Sequence, residues 1–60
     1  MGTMCSVVTE KGFVTFDLDV GDNGRPVYIV SCWNGKKWSY SRYNNFKPAR
    51  NTFKLVSKMI

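Results

Sequence analysis

Apolar and polar residues alternate with a period of two through most of this chain, and turn signals cut the alternation into runs of strand length. Met4 to Thr9 leads through Glu10-Lys11-Gly12 into Phe13 to Val20. With Lys11-Gly12 as a two-residue turn, Thr9 faces Val14, Val7 faces Phe16 and Cys5 faces Leu18. This register gathers Cys5, Val7, Val14, Phe16, Leu18 and Val20 on one face and leaves Ser6, Thr15, Asp17 and Asp19 on the other. Successive side chains of a strand point to opposite sides, so the division describes an antiparallel hairpin with one wet face.

Gly21-Asp22-Asn23-Gly24-Arg25 is a turn cluster, and Pro26 suits the first position of the strand that follows. Val27 to Trp33 is apolar on both sides, which places it centrally. Asn34-Gly35 is the strongest hairpin signal in the chain, because both residues tolerate positive φ. The returning strand, Lys36 to Tyr43, puts Lys36, Trp38, Tyr40 and Arg42 beside Val27, Ile29, Ser31 and Trp33. Tyr28, Val30 and Cys32 share the opposite face with Lys37, Ser39, Ser41 and Tyr43. Asn44 to Asn51 reads as a loop around Pro48 with at most one helical turn. Thr52 to Met59 reads as a last strand with Phe53, Leu55 and Met59 inward and Lys54, Val56 and Lys58 outward.

Five short strands in 60 residues predict an all-β fold. The expected architecture is a five-stranded antiparallel meander, strongly bent or closed as a small SH3-like or OB-like barrel, with residues 1–60 as a single small β domain. Closure removes exposed edges. An open sheet completed by a second copy is the rival arrangement. A chain this short buries only about 60% of the surface its unfolded form exposes, so each large apolar residue counts.

Little here points to catalysis. The chain has no histidine, and its two cysteines, Cys5 and Cys32, lack CxxC spacing. No metal site and no cofactor is expected from that set. Asp17 and Asp19 stand two apart on a wet face, where solubilising charge is the simpler reading. Ser39 and Ser41 beside Lys37 are ordinary strand serines. No run approaches the roughly 20 apolar residues of a membrane span, and Met1 to Thr9 lacks the basic start and apolar stretch of a secretion signal. A cytoplasmic location with two reduced thiols is the resulting expectation.

Charge is the strongest functional lead. Residues 1–24 hold Glu10, Asp17, Asp19 and Asp22 against Lys11, a balance of −3; residues 25–60 hold eight cations and no acid, +8. So lopsided a chain attracts polyanions. The candidate contacts are Lys36, Lys37, Arg42, Lys47, Arg50, Lys54 and Lys58 for phosphates, with Trp33 or Tyr43 stacking on bases. Trp38 and Tyr40 have two readings, as part of an aromatic and cationic platform or as core, and the need for apolar bulk favours the core. Tyr43, near the loop that holds Lys47 and Arg50, is then the ring most readily exposed. The leading expectation is a small basic non-enzymatic nucleic-acid-binding β domain. The alternative is a protein-binding module, such as a compact viral-type inhibitor or adaptor, that covers an acidic or nucleic-acid-binding surface of its partner. A homodimer, covering Val8, Phe13, Val30 and Val56, is the third reading.

Lys11-Gly12-Phe13-Val14-Thr15-Phe16 is similar to the signature of RNA-recognition motifs with two central residues deleted. Glu10-Lys11-Gly12-Phe13 followed by Val27-Tyr28-Ile29-Val30 is similar to the aromatic strands of cold-shock domains. The first fold needs two helices, and the aromatic lead-in strand of the second is replaced by Ser6-Val7-Val8-Thr9. Neither assigns a family.

Overall fold

A computed structural model describes residues 2–60 as four strands and one helix. The strands β1 (Gly2–Val8), β2 (Phe13–Val20), β3 (Pro26–Trp33) and β4 (Trp38–Tyr43) form one antiparallel sheet in the order β1-β2-β3-β4, and α1 (Phe46–Met59) follows. The predicted five-stranded barrel is therefore corrected to an open four-stranded sheet with a helix on one face. Among the described residues no fifth strand closes the sheet, and β1 and β4 are its edges.

The residues predicted as a loop and a last strand form the helix. Phe46, Ala49, Phe53, Val56 and Ile60 recur at alternating spacings of three and four, which is one face of an α-helix. Reading Phe53 and Leu55 as an alternating pair hid that stripe. Pro48 does not oppose the helix, because it is the third residue of α1 and its missing N–H belongs to the first turn, where donors have no intrahelical acceptor. Leu55 and Met59, predicted inward, are exposed. Val56, predicted outward, packs against the core.

The first hairpin turns one residue earlier than predicted, at Glu10-Lys11 in place of Lys11-Gly12, with Thr9 and Gly12 facing each other across the turn. The Thr9 N–H donates to the Gly12 carbonyl at 2.8 Å and the Gly12 N–H to the Thr9 carbonyl at 3.3 Å. Val8 pairs with Phe13, Val7 with Val14 and Cys5 with Phe16, with a register shift between Thr3 and Cys5. Each partner differs from the prediction by two residues, so the faces survive. Cys5, Val7, Val14 and Phe16 still share one side.

That side meets α1. Val14, Phe16, Val30 and Cys32 from the sheet bury themselves against Ala49 and Phe53. The Phe16 ring stacks on Phe53 with centroids 5.6 Å apart, and Phe46 meets Tyr28 edge-on at 5.6 Å. Ala49 is fully buried, and its small side chain lets the helix settle on the sheet. Val30, predicted outward, is thus in the core. Between β4 and α1 the Tyr43 and Thr52 hydroxyls share a hydrogen bond of 2.7 Å. Among the described residues no helix is long and apolar enough to cross a membrane.

Candidate functional site

Because α1 covers one face, the other face of the sheet stands open. Strand pairing lays its side chains out in rows: Phe13, Trp33 and Trp38 in the first, Thr15, Ser31 and Tyr40 in the second, Asp17, Ile29 and Arg42 in the third. Trp38 is 51% exposed, Tyr40 54% and Trp33 36%. The preference for placing Trp38 and Tyr40 in the core is corrected by these values. The Trp38 ring reaches across the sheet to Phe13, edge to face at 5.7 Å. Val27, Ile29 and Ser31 lie on the same face yet are buried, so the taller side chains around them close over them.

Two turns fix the aromatic end of this face. A Cβ added to Gly12 would lie 1.7 Å from the Trp33 carbonyl oxygen, and one added to Gly35 would lie 2.8 Å from the Lys11 carbonyl oxygen. The backbones of the two connections therefore touch at positions where only glycine fits. Gly35 also has φ of 91°, in the left-handed region that favours glycine. The Asn34 side-chain oxygen accepts from the Lys36 and Lys37 N–H groups at 2.9 and 2.8 Å, an Asx turn that shapes the connection. Lys11, Lys36 and Lys37 consequently stand at the end of the sheet that carries Phe13, Trp33 and Trp38, all three lysines exposed.

The acids lie toward the other edge of the same face. Asp17 accepts from the Thr3 hydroxyl at 2.7 Å and from the Thr15 hydroxyl at 3.2 Å, and Asp19 accepts from the Val20 N–H at 2.8 Å. These carboxylates have local partners, which fits the reading of Asp17 and Asp19 as strand-surface charge. Cys5 is an exposed thiol and Cys32 a buried one, and both are free. No cluster of three or more metal-ligating residues occurs among the described residues.

The predicted site residues divide between two sides of the molecule. Trp33, Lys36, Lys37 and Arg42 belong to the open face and its turn, together with Trp38 and Tyr40. Lys47, Arg50, Lys54 and Lys58 lie on α1, at spacings of three, four and four, as one exposed stripe. At about 100° per residue Lys47 and Lys58 point away from the sheet, roughly opposite Ala49 and Val56, whereas Arg50 and Lys54 stand on the flank of the helix that borders β1. Lys54 and Lys58 are one helical turn apart, about 6 Å along the axis, and not the strand neighbours that were predicted. Tyr43 belongs to neither group. It sits on the helix-covered face, half-buried, with its hydroxyl held by Thr52, so its predicted exposure is corrected.

Lys11 and Phe13 are absent from the predicted set although both stand beside the two tryptophans. The signal that finds them is tertiary, namely the contact between two glycine-bearing turns some twenty residues apart in sequence. Together these groups offer flat apolar rings for stacking and ammonium and guanidinium groups for anions. Searches of family models, characterised proteins and solved structures find no match to this chain.

Proposed function

We propose that this protein is a non-enzymatic nucleic-acid-binding domain that stacks unpaired bases on its open sheet face. The observation that carries the reading is the exposure of Trp33, Trp38 and Tyr40 on the face the helix leaves uncovered, with Lys36, Lys37 and Arg42 around them. An exposed indole is costly in water, and bases reward it by stacking, with about 1–3 kcal/mol per base at known aromatic platforms. The neighbouring cations meet the phosphates that accompany those bases. Lys11 joins them from the adjoining turn.

Single strands suit this surface better than duplexes. Stacking needs a free base face, whereas duplex reading in the major groove needs forked donors such as paired Arg or Asn at base edges. Asp17 and Asp19 repel phosphate from the β1 side, so the bound strand follows the β3–β4 hairpin. Sequence preference is weak, because a ring accepts any base.

Titration of the protein with a mixed-sequence single-stranded oligonucleotide, read by tryptophan fluorescence, tests the proposal. Quenching is expected, and Trp38→Ala should weaken binding by about ten-fold or more. Contact with three or four phosphates should make log K fall with log salt at a slope of about −2 to −3. Absence of quenching and of binding at low salt, for both DNA and RNA, ends the reading.

A further inference from the structure

The helix is narrower than the sheet it lies on. Four strands about 4.8 Å apart span about 14 Å between edge axes, and a helix with its side chains is about 10 Å across. α1 packs mainly on β2, β3 and β4. The inner side of β1 therefore stands clear of it, with Met4 and Cys5 exposed. Between β1 and α1 runs a groove of about 290 Å³, walled by Met4, Cys5, Phe16, Phe46 and Phe53 and flanked by Arg50 and Lys54.

Two further features meet at this groove. Among the described residues the outer edge of β1 has no partner strand, and Gly2–Val8 contains neither charge nor proline, two devices that commonly stop an edge from pairing. Its bulge between Thr3 and Cys5 restricts regular pairing to Cys5–Val8. The other feature is electrostatic. Glu10 and Asp22 lie in turns, Asp17 and Asp19 lie on the open face, and α1 contains no acid at all. The groove's two cations thus sit beside an apolar trough with no carboxylate on their own element.

From this we infer that β1 and the groove receive an extended acidic segment of a partner protein, added to the sheet as a fifth strand. One apolar side chain enters the trough between Met4 and Phe46, and a carboxylate two residues away on the same side reaches Arg50 and Lys54. The intervening residues point to the side of the sheet that holds Asp17 and Asp19, so they are uncharged. A second copy of this chain does not fit that description, because neither of its edge strands, Gly2–Val8 or Trp38–Tyr43, contains an acid. Nucleic acid lacks the apolar side chain the trough accommodates. This surface is separate from the open face and stands whether or not that face binds bases.

Two fluorescein-labelled nonapeptides of identical leucine, glutamate and threonine content test the inference. In one, leucine and glutamate share alternate positions with threonine between them; in the other, leucine and glutamate occupy opposite parities. Anisotropy gives the affinity. The rate at which the exposed Cys5 thiol is alkylated reports occupancy of the groove, with buried Cys32 as the slow internal reference. The first peptide should bind about ten-fold more tightly than the second and slow Cys5 alkylation, and the double variant Arg50→Glu, Lys54→Glu should lose both effects. Both substituted side chains are exposed, so the thermal melt should stay in place and separate lost binding from lost folding. Equal binding of the two peptides, or binding without protection of Cys5, overturns the inference. So does protection of Cys5 by an oligonucleotide, or by raised protein concentration alone, since each assigns the groove to a different occupant.

Discussion

At Gly12 the nearest atom to an added Cβ is a backbone oxygen, which cannot rotate aside as a side chain can. Gly12→Ala must therefore push apart the two turns that hold Lys11, Lys36, Trp33 and Trp38 together. We expect a loss of about 2 kcal/mol or more, read as a lower denaturation midpoint, with weaker oligonucleotide binding at temperatures where the variant is folded. Tyr43 and Trp38 make a contrasting pair. Tyr43→Phe removes a hydroxyl bonded to Thr52 on the covered face, so it should cost about 1 kcal/mol of stability and leave binding unchanged. Trp38→Ala removes a half-exposed ring and its edge-to-face contact with Phe13, so it should cost about 1 kcal/mol of stability as well but weaken binding strongly. Equal effects of the two on binding would place the interface elsewhere. The parity of both residues is readable from the chain, but their relative exposure is not, because parity assigns a residue to a side without saying which side is covered.

Among the elements, α1 is the one whose formation depends most on its surroundings. It has no acid in its first turn, its N-cap residue Asn45 makes no side-chain cap bond, and Lys47 adds positive charge where the helix dipole is already positive. Only Lys58, in the last turn, has the favourable sign. Fourteen residues are marginal for an isolated helix, so packing of Phe53 and Ala49 on the sheet supplies what local signals do not. Lys47→Glu should raise stability by about 0.3–1 kcal/mol at low salt, visible as a higher melting temperature that shrinks as salt is added. The helix was written in the sequence as the three-and-four spacing of Phe46, Ala49, Phe53, Val56 and Ile60. Pro48, Thr52 and Val56, which suit loops and strands, masked it. The strands β2, β3 and β4 were far easier to read, since they alternate and the turns at 21–25 and 34–37 bound β3 on both sides and β2 and β4 on one.

Across the whole molecule, eight cations of the basic segment do not form one patch. Charge reversal can separate the two sides: Lys36→Glu with Lys37→Glu should reduce single-strand binding sharply, whereas Lys54→Glu with Lys58→Glu should reduce it only through long-range attraction and lose that effect by about 0.15 M salt. Matching losses at that salt would mean that nucleic acid wraps both sides. The chain alone determined the two faces of each hairpin, the places where it turns and the uneven division of charge, because strand parity and turn chemistry are local properties. The register of β2 against β3 was decided only in the folded molecule. By setting Phe16 opposite Val30 and Val14 opposite Cys32, that pairing joins one face of each hairpin into a continuous apolar strip, and Phe13, Trp33 and Trp38 are left to share the other. A single amphipathic helix can bury one such strip, and it lies on the one that carries Val14, Phe16, Val30 and Cys32. The aromatic face is therefore open for a reason of packing that no local pattern contains.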